Sequence, residues 1–189
     1  MPLENRERVL RAATDSFLAH GYGSSVDEIA RRAGVAKQTV YSHFPSKDAL
    51  FKAVANALAQ SVLVELEGGD VRASLLRFAL AYRSRALGAQ GIATFRTLLP
   101  EVPRFKAIAR TMYANTMGAM VERLAQYFAV EMKEGRLRRD DPELAAEMLL
   151  SMLAGVDRVK RLFCVANGIE KDERRTARIV DTFLRAYKP

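Results

Sequence analysis

The 189-residue sequence has no tryptophan, one cysteine, two histidines, six prolines and eleven glycines, and each shortage closes off a class of protein. Its single cysteine, Cys164, has no partner for an internal disulfide, which argues against a stapled secreted scaffold and for a reducing, cytoplasmic setting. The two histidines, His20 and His43, both fall near the N-terminus, so metal or general-base chemistry elsewhere would have to use carboxylates, Lys or Tyr. There is no nucleophile elbow, phosphate loop or Cys/His metal spacing, so neither an enzyme nor a metal or other cofactor is expected. Met148 to Val156, the longest uncharged apolar run in the C-terminal third, is far short of the roughly 20 residues that cross a bilayer. The opening PLENRERVL is charged where a secretory signal is apolar, so no membrane partner is expected. Alternating Val/Ile/Thr runs of strand type are absent while Ala, Leu and Arg abound, and the expected fold is all-α.

What is present is concentrated between Ser24 and Phe51, in SSVDEIARRAGVAKQTVYSHFPSKDALF. Ser25 is placed to cap a short helix, and Glu28 three residues on is placed to return a bond to the Ser25 amide. Val26, Ile29, Ala30 and Ala33 form the apolar face of that helix. Gly34 supplies the left-handed residue that ends it, and Val35 tucks into the small core beyond. A second helix from about Ala36 to His43 then turns Val40 and Phe44 inward. Lys37, Gln38, Thr39, Tyr41, Ser42 and His43 are left facing outward or flanking that face, hydrogen-bonding groups suited to phosphates and base edges. This is the pattern of a helix-turn-helix DNA reader.

Charge supports that reading only locally. The formal net charge is +8 from 30 Lys/Arg against 22 Asp/Glu, yet residues 1 to 50 hold seven cations against six carboxylates. From Ile29 to Lys47, however, Arg31, Arg32, Lys37 and Lys47 occur with no carboxylate, which predicts a positive surface for a phosphodiester backbone.

The segment resembles the N-terminal domain of the TetR/AcrR family of bacterial transcriptional regulators. The resemblance is carried by Gly21-Tyr22, Ser24-Ser25, Val26, Ile29-Ala30, Gly34-Val35, Tyr41, His43-Phe44 and Ser46-Lys47, roughly the first quarter of the chain. It implies roles by position. Ser25, Tyr41, His43 and Lys47 would contact phosphate, and Lys37, Gln38 and Thr39 would reach base edges, Lys toward guanine and Gln toward adenine. Ser25 as a cap alone, Tyr41 packed against the first helix and His43 as a structural imidazole are the alternatives. Ala36 stands where the family often has Ser, so one capping oxygen is missing.

Helical periodicity divides the chain into about nine helices, and the resemblance implies two domains, residues 1–50 as the reader and 51–189 as a larger ligand-binding and dimerisation domain. Ser46 is placed to cap a fourth helix that runs from the reader through Leu50, Phe51, Val54, Leu58 and Val62 toward Leu66, before Gly68-Gly69. Six of the seven methionines lie between Met112 and Met152, a composition that suits an adaptable apolar cavity. Candidate lining residues are Phe78, Tyr82, Arg85, Phe95, Met112, Asn115, Thr116, Met120 and Met152, with ordinary core as the alternative for each of the apolar ones.

The eighth predicted helix, from about Asp141 to Val165, is apolar around its whole circumference at Met148 to Val156, and a helix of that kind needs a partner on every side. With the ninth, about Asp172 to Tyr187, it is expected to form a two-fold homodimer through Leu149, Leu153, Val156, Ile179 and Phe183, as the resemblance implies, the alternative being a central core helix. The expectation for the whole chain is a repressor that binds a palindromic operator as a dimer and is released by a small apolar or amphipathic effector. A ligand-indifferent architectural DNA binder is the rival.

Overall fold

The computed structural model describes residues 2–63, 66, 70–99, 102–103, 106–166 and 168–189, and among them every regular element is helical. The helices are α1 (Pro2–His20), α2 (Val26–Ala33), α3 (Lys37–His43), α4 (Lys47–Leu63), α5 (Val71–Leu87), α6 (Ala89–Leu98), α7 (Lys106–Tyr113), α8 (Ala119–Lys133), α9 (Pro142–Leu162) and α10 (Glu173–Ala186). A π turn at Ala114–Gly118 lies between α7 and α8 in the chain, and α9 and α10 correspond to the eighth and ninth helices expected from the sequence. Short side chains start several of the helices, Ser46 among them as the sequence indicates. Ser46 Oγ accepts from Ala49 N at 3.0 Å, Asp70 from Ala73 N at 3.1 Å, and Asp172 from Arg175 N at 2.9 Å. At α9, Asp141 accepts from Glu143 N at 2.9 Å with Pro142 behind it, which satisfies amides that the helix itself leaves open.

Two compact units result, one of Met1–Leu58 with Ala93–Asn115 and one of Ala59–Ile92 with Thr116–Pro189. The boundary near Leu58 falls inside α4, beyond the Leu50 division expected from the sequence. In the first unit α1 packs on α2 and α3, and Val9, Ala13, Phe17, Ile29, Val40 and Leu50 form its closed core. Burying aliphatic and aromatic side chains of this size contributes about 1.5–3 kcal/mol apiece, which is what holds so small a unit together.

In the second unit α5 packs on α9 and α10, and α8 on α9. Leu75, Phe78, Leu124, Phe128, Leu149, Leu153 and Phe183 fill the space between them, with the Phe128 and Phe183 rings 5.3 Å apart and Phe183 stacked on Tyr187 at 4.6 Å. Among the described residues Arg83 is a charged group with no exposed surface. Arg83 of α5 donates to Asp157 of α9 at 2.9 Å, to the Leu153 carbonyl, and to the Ile169 carbonyl at 2.6 Å. Arg175 of α10 donates twice to the same Asp157, at 3.0 Å each, so one carboxylate ties three helices.

The residues expected at a dimer interface divide on this fold. Leu149, Leu153 and Phe183 are at most 1% exposed and belong to the chain's own core, so they are closed to a second copy. Ile179 is partly buried, and Val156 is 67% exposed. The sequence could not tell the two faces of α9 apart because both are apolar. Its inner face is core, and its outer face carries Leu144, Met148, Met152, Val156, Val159 and Phe163 in the open. Met152, expected among the ligand-lining residues, thus lies on that outer stripe instead. No described helix is long and apolar enough to cross a membrane.

Candidate nucleic-acid interface

The site is built on the turn between α2 and α3. Gly34 has φ +65°, the left-handed backbone that glycine adopts without strain, and Val35 N returns to the Ala30 carbonyl at 3.1 Å. A Cβ on Gly34 would lie 2.5 Å from Arg8 Nη2, which donates to the Gly34 carbonyl at 3.2 Å and ties α1 to the turn. Ala36 begins α3 with no side-chain cap, as expected from the missing Ser. Val40 and Phe44 are buried, and Lys37, Gln38, Tyr41 and Ser42 are exposed on the other edge, with Thr39 and His43 half-buried beside them. Tyr41 is 41% exposed, so it is not consumed by packing. The exposed Ser42 hydroxyl donates to the Thr39 carbonyl at 2.8 Å. The expected polar edge of α3 therefore exists as a surface.

Ser25 caps α2, its Oγ accepting from Asp27 N at 3.1 Å. The reciprocal bond expected from Glu28 is not formed. Glu28 instead takes two bonds from Arg31, at 2.8 and 2.9 Å, and one from Arg32 at 2.7 Å. Those bonds hold the Glu28 carboxyl down at about 2, the Arg31 bond first and the Arg32 bond second. Two fully charged arginines one turn along outcompete a single amide.

The uniformly positive window expected between Ile29 and Lys47 is accordingly corrected in space. The two carboxylates just before the window, Asp27 and Glu28, fold back onto Lys37, Arg31 and Arg32. A linear count of charge cannot see a helical neighbour three or four residues away, nor one across a turn.

Lys47, at the start of α4, stands on a platform that the sequence did not reveal. Its ammonium lies 4.5 Å from the centroid of the Tyr22 ring, and Tyr22 donates its hydroxyl to Asp48. Phe51 sits edge-on to Tyr22 at 5.5 Å and to Phe17 at 5.1 Å, which fixes the ring. Burial lowers the Lys47 pKa, while burial and then the Asp48 bond push the Tyr22 hydroxyl up to about 12. The sequence held Gly21-Tyr22 only as part of a pattern, and the signal for the platform was Lys-Asp following an aromatic at a distance that no local rule covers.

The expected ligand residues fall in both units. Phe78, Tyr82 and Met120 are buried together in the second core, with Phe78 and Tyr82 stacked at 5.9 Å. Tyr82 accepts from Arg158 at 3.4 Å. Arg85 and Thr116 are exposed, and Thr116 lies in the π turn; Phe95 is half-buried in the first unit. The side chains of Met112 and Asn115 lie outside the described residues.

Comparison with known proteins agrees with this architecture at both ends of the chain. The family described as "Bacterial regulatory proteins, tetR family" matches residues 9–54, and "AefR-like transcriptional repressor, C-terminal domain" matches residues 73–189. An HTH-type transcriptional regulator of Mycobacterium bovis is 29% identical over 145 residues, 76% of this chain and 75% of that protein. The HTH-type transcriptional activator FasR of Mycolicibacterium smegmatis is 48% identical over 52 residues, 27% of this chain and 24% of that protein. Among solved structures, a TetR-family transcriptional regulator from Mesorhizobium loti superimposes with a TM-score of 0.76 at 26% identity, covering 100% of this chain and 99% of that one. The Flavonoid-responsive Regulator FrrA gives 0.69 at 31% identity, covering 98% and 97%. With the reader at one end and the matched helical domain at the other, the chain belongs to the tetR family of bacterial regulatory proteins and is a DNA-binding transcriptional regulator, not an enzyme.

Proposed function

We propose that this regulator is a cytoplasmic repressor that binds a palindromic operator as a homodimer and leaves it when a small apolar or amphipathic molecule binds its second domain. The observation that carries this reading is the solvent-facing polar edge of α3, opposite the buried Val40 and Phe44. Lys37, Gln38 and Thr39 on that edge reach base edges, and Ser25, Tyr41, Ser42, His43 and Lys47 contact phosphates. One such unit buries little surface, so affinity and selectivity come from two held on the order of 35 Å apart.

The outer stripe of α9 supports the dimer. Leu144, Met148, Met152, Val156, Val159 and Phe163 recur on one face, and a Cβ added to Gly155 beside them meets nothing within 4 Å, so a second helix has room to approach. Three features favour an effector site in the second domain. Phe78 and Tyr82 are stacked aromatics inside that unit, methionine suits adaptable packing, and Thr116 of the same unit lies in a π turn, a distortion that recurs at functional sites. FrrA is a flavonoid-responsive protein, which places planar aromatic compounds first among molecules to try. The AefR-like description of residues 73–189 favours repression, and FasR, an activator, shares only the reader.

Thermal-shift screening of a panel of planar aromatics and fatty acids, with and without bound operator duplex, tests the reading. A true effector raises the melting temperature of the free protein and binds more weakly when operator is saturating, because coupling between two sites is reciprocal. An effector whose affinity is unaltered by operator removes the release mechanism and favours the architectural DNA binder.

A further inference from the structure

The first turns of α2 and α3 meet in an ion pair. Lys37 Nζ donates to Asp27 Oδ2 at 2.9 Å, with 49% of the lysine side chain and 68% of the aspartate still exposed. Both ends are anchored in the backbone. Asp27 N–H is bonded to Ser25 Oγ at 3.1 Å, and Lys37 is the first residue of α3. Glu28, the next carboxylate along, is occupied by Arg31 and Arg32, which leaves Asp27 as the acid facing Lys37.

A lysine alone on a DNA-facing edge is a poor discriminator. Its ammonium is a compact charge on a flexible stem with three N–H donors, and phosphates supply most of the acceptors near any duplex. A carboxylate beside it changes both facts. It takes one N–H and restricts the stem, so the two remaining N–H bonds project from a fixed point. It also repels phosphate oxygens at short range while leaving neutral base acceptors attractive.

We propose that Asp27 is a specificity-determining positioning residue, holding Lys37 Nζ toward the O6 and N7 acceptors of a guanine and away from the DNA backbone. The inference rests on the reading above that Lys37 meets a base edge, and it assigns a role to a residue that the helix-turn-helix pattern leaves silent.

Selection from a pool of duplexes with a randomised core, carried out with wild type, Lys37→Ala, Asp27→Asn, Asp27→Ala and the Asp27→Ala/Lys37→Ala double variant, tests it. The enriched duplex and a base-shuffled one are then titrated across a range of salt. Wild type is expected to select guanine at one position per half-site, and Lys37→Ala to lose that preference. Asp27→Asn should lose it too, lowering the ratio of enriched to shuffled affinity about tenfold. Its affinity for shuffled DNA should rise and its salt slope steepen by up to about 0.9, one phosphate's worth. In the Lys37→Ala background Asp27→Ala should leave the ratio unchanged, which a merely structural role for Asp27 would not produce. Circular dichroism establishes that each variant is folded, and Asp27→Asn, which keeps the shape, decides if Asp27→Ala is not. Retention of the guanine preference by folded Asp27→Asn overturns the inference, as does an equal loss with and without Lys37. Retention of that preference by Lys37→Ala overturns the base-edge reading of Lys37 instead, and the role of Asp27 with it.

Discussion

Asp157 accepts two arginines in a place where a charge left alone is costly. Arg83 is wholly buried against it at 2.9 Å, and Arg175 grips both its oxygens at 3.0 Å. Asp157→Asn strands the Arg83 guanidinium, and a broken buried pair costs about 3–5 kcal/mol, which chemical denaturation followed by circular dichroism measures directly. Tyr22 gives a second prediction at this scale, with a sign set by proton linkage. Its hydroxyl pKa rises from 10.0 to about 12, chiefly through burial and then through Asp48. Between those values the folded chain keeps a proton that the unfolded chain releases, so stability falls as pH rises through that window and is unaffected below it. Tyr127 is likewise raised to about 12, mainly by burial, so its contribution has the same sign and remains in a Tyr22→Phe variant. Tyr22→Phe should therefore lose less stability than wild type between about pH 10 and about pH 12, read from denaturation midpoints across alkaline pH. At this scale the sequence was legible where partners are local, as at Ser25, Gly34 and Ser46. It was opaque where partners are distant, since Arg83 and Asp157 are 74 residues apart, and Lys37 reaches an aspartate 10 residues back across a turn.

Helices were easier to foresee than their faces. Apolar spacing identified Val26, Ile29, Ala30 and Ala33 as the inner side of α2, and each is buried. The polar edge of α3 followed because Val40 and Phe44 leave it one direction to face. α9 defeated the same reasoning, because a helix apolar all round reads identically whether its outer side meets core or a second copy. Its two faces make separable predictions. Val156→Asp, on the exposed stripe, should leave the monomer folded and shift sedimentation from dimer to monomer. Leu153→Ala, in the core, should cost about 2–5 kcal/mol of stability through a cavity. If Val156→Asp sediments as wild type does, that stripe is not the dimer contact.

For the whole molecule, function was legible because one segment of the chain carries a spatial pattern whose elements are all local. The second domain was legible as an architecture and not as a site. Phe78, Tyr82 and Met120 are buried in its core, and periodicity does not separate a packing role from the proposed ligand wall. Net charge proved the least informative quantity, since three of the reader's seven cations, Arg31, Arg32 and Lys37, are paired with Asp27 and Glu28. What joins the scales in the proposed function is the dependence of a weak reader on a duplicate of itself.

Sequencing the duplexes that purified wild-type protein retains from a randomised pool, at near-physiological salt, examines that dependence most directly. The account predicts an enriched motif with two-fold symmetry, its half-sites centred about one helical turn, roughly 10 base pairs, apart or a whole multiple of that spacing. Retained duplexes with no shared motif, or a single half-site with no symmetric mate, would contradict it.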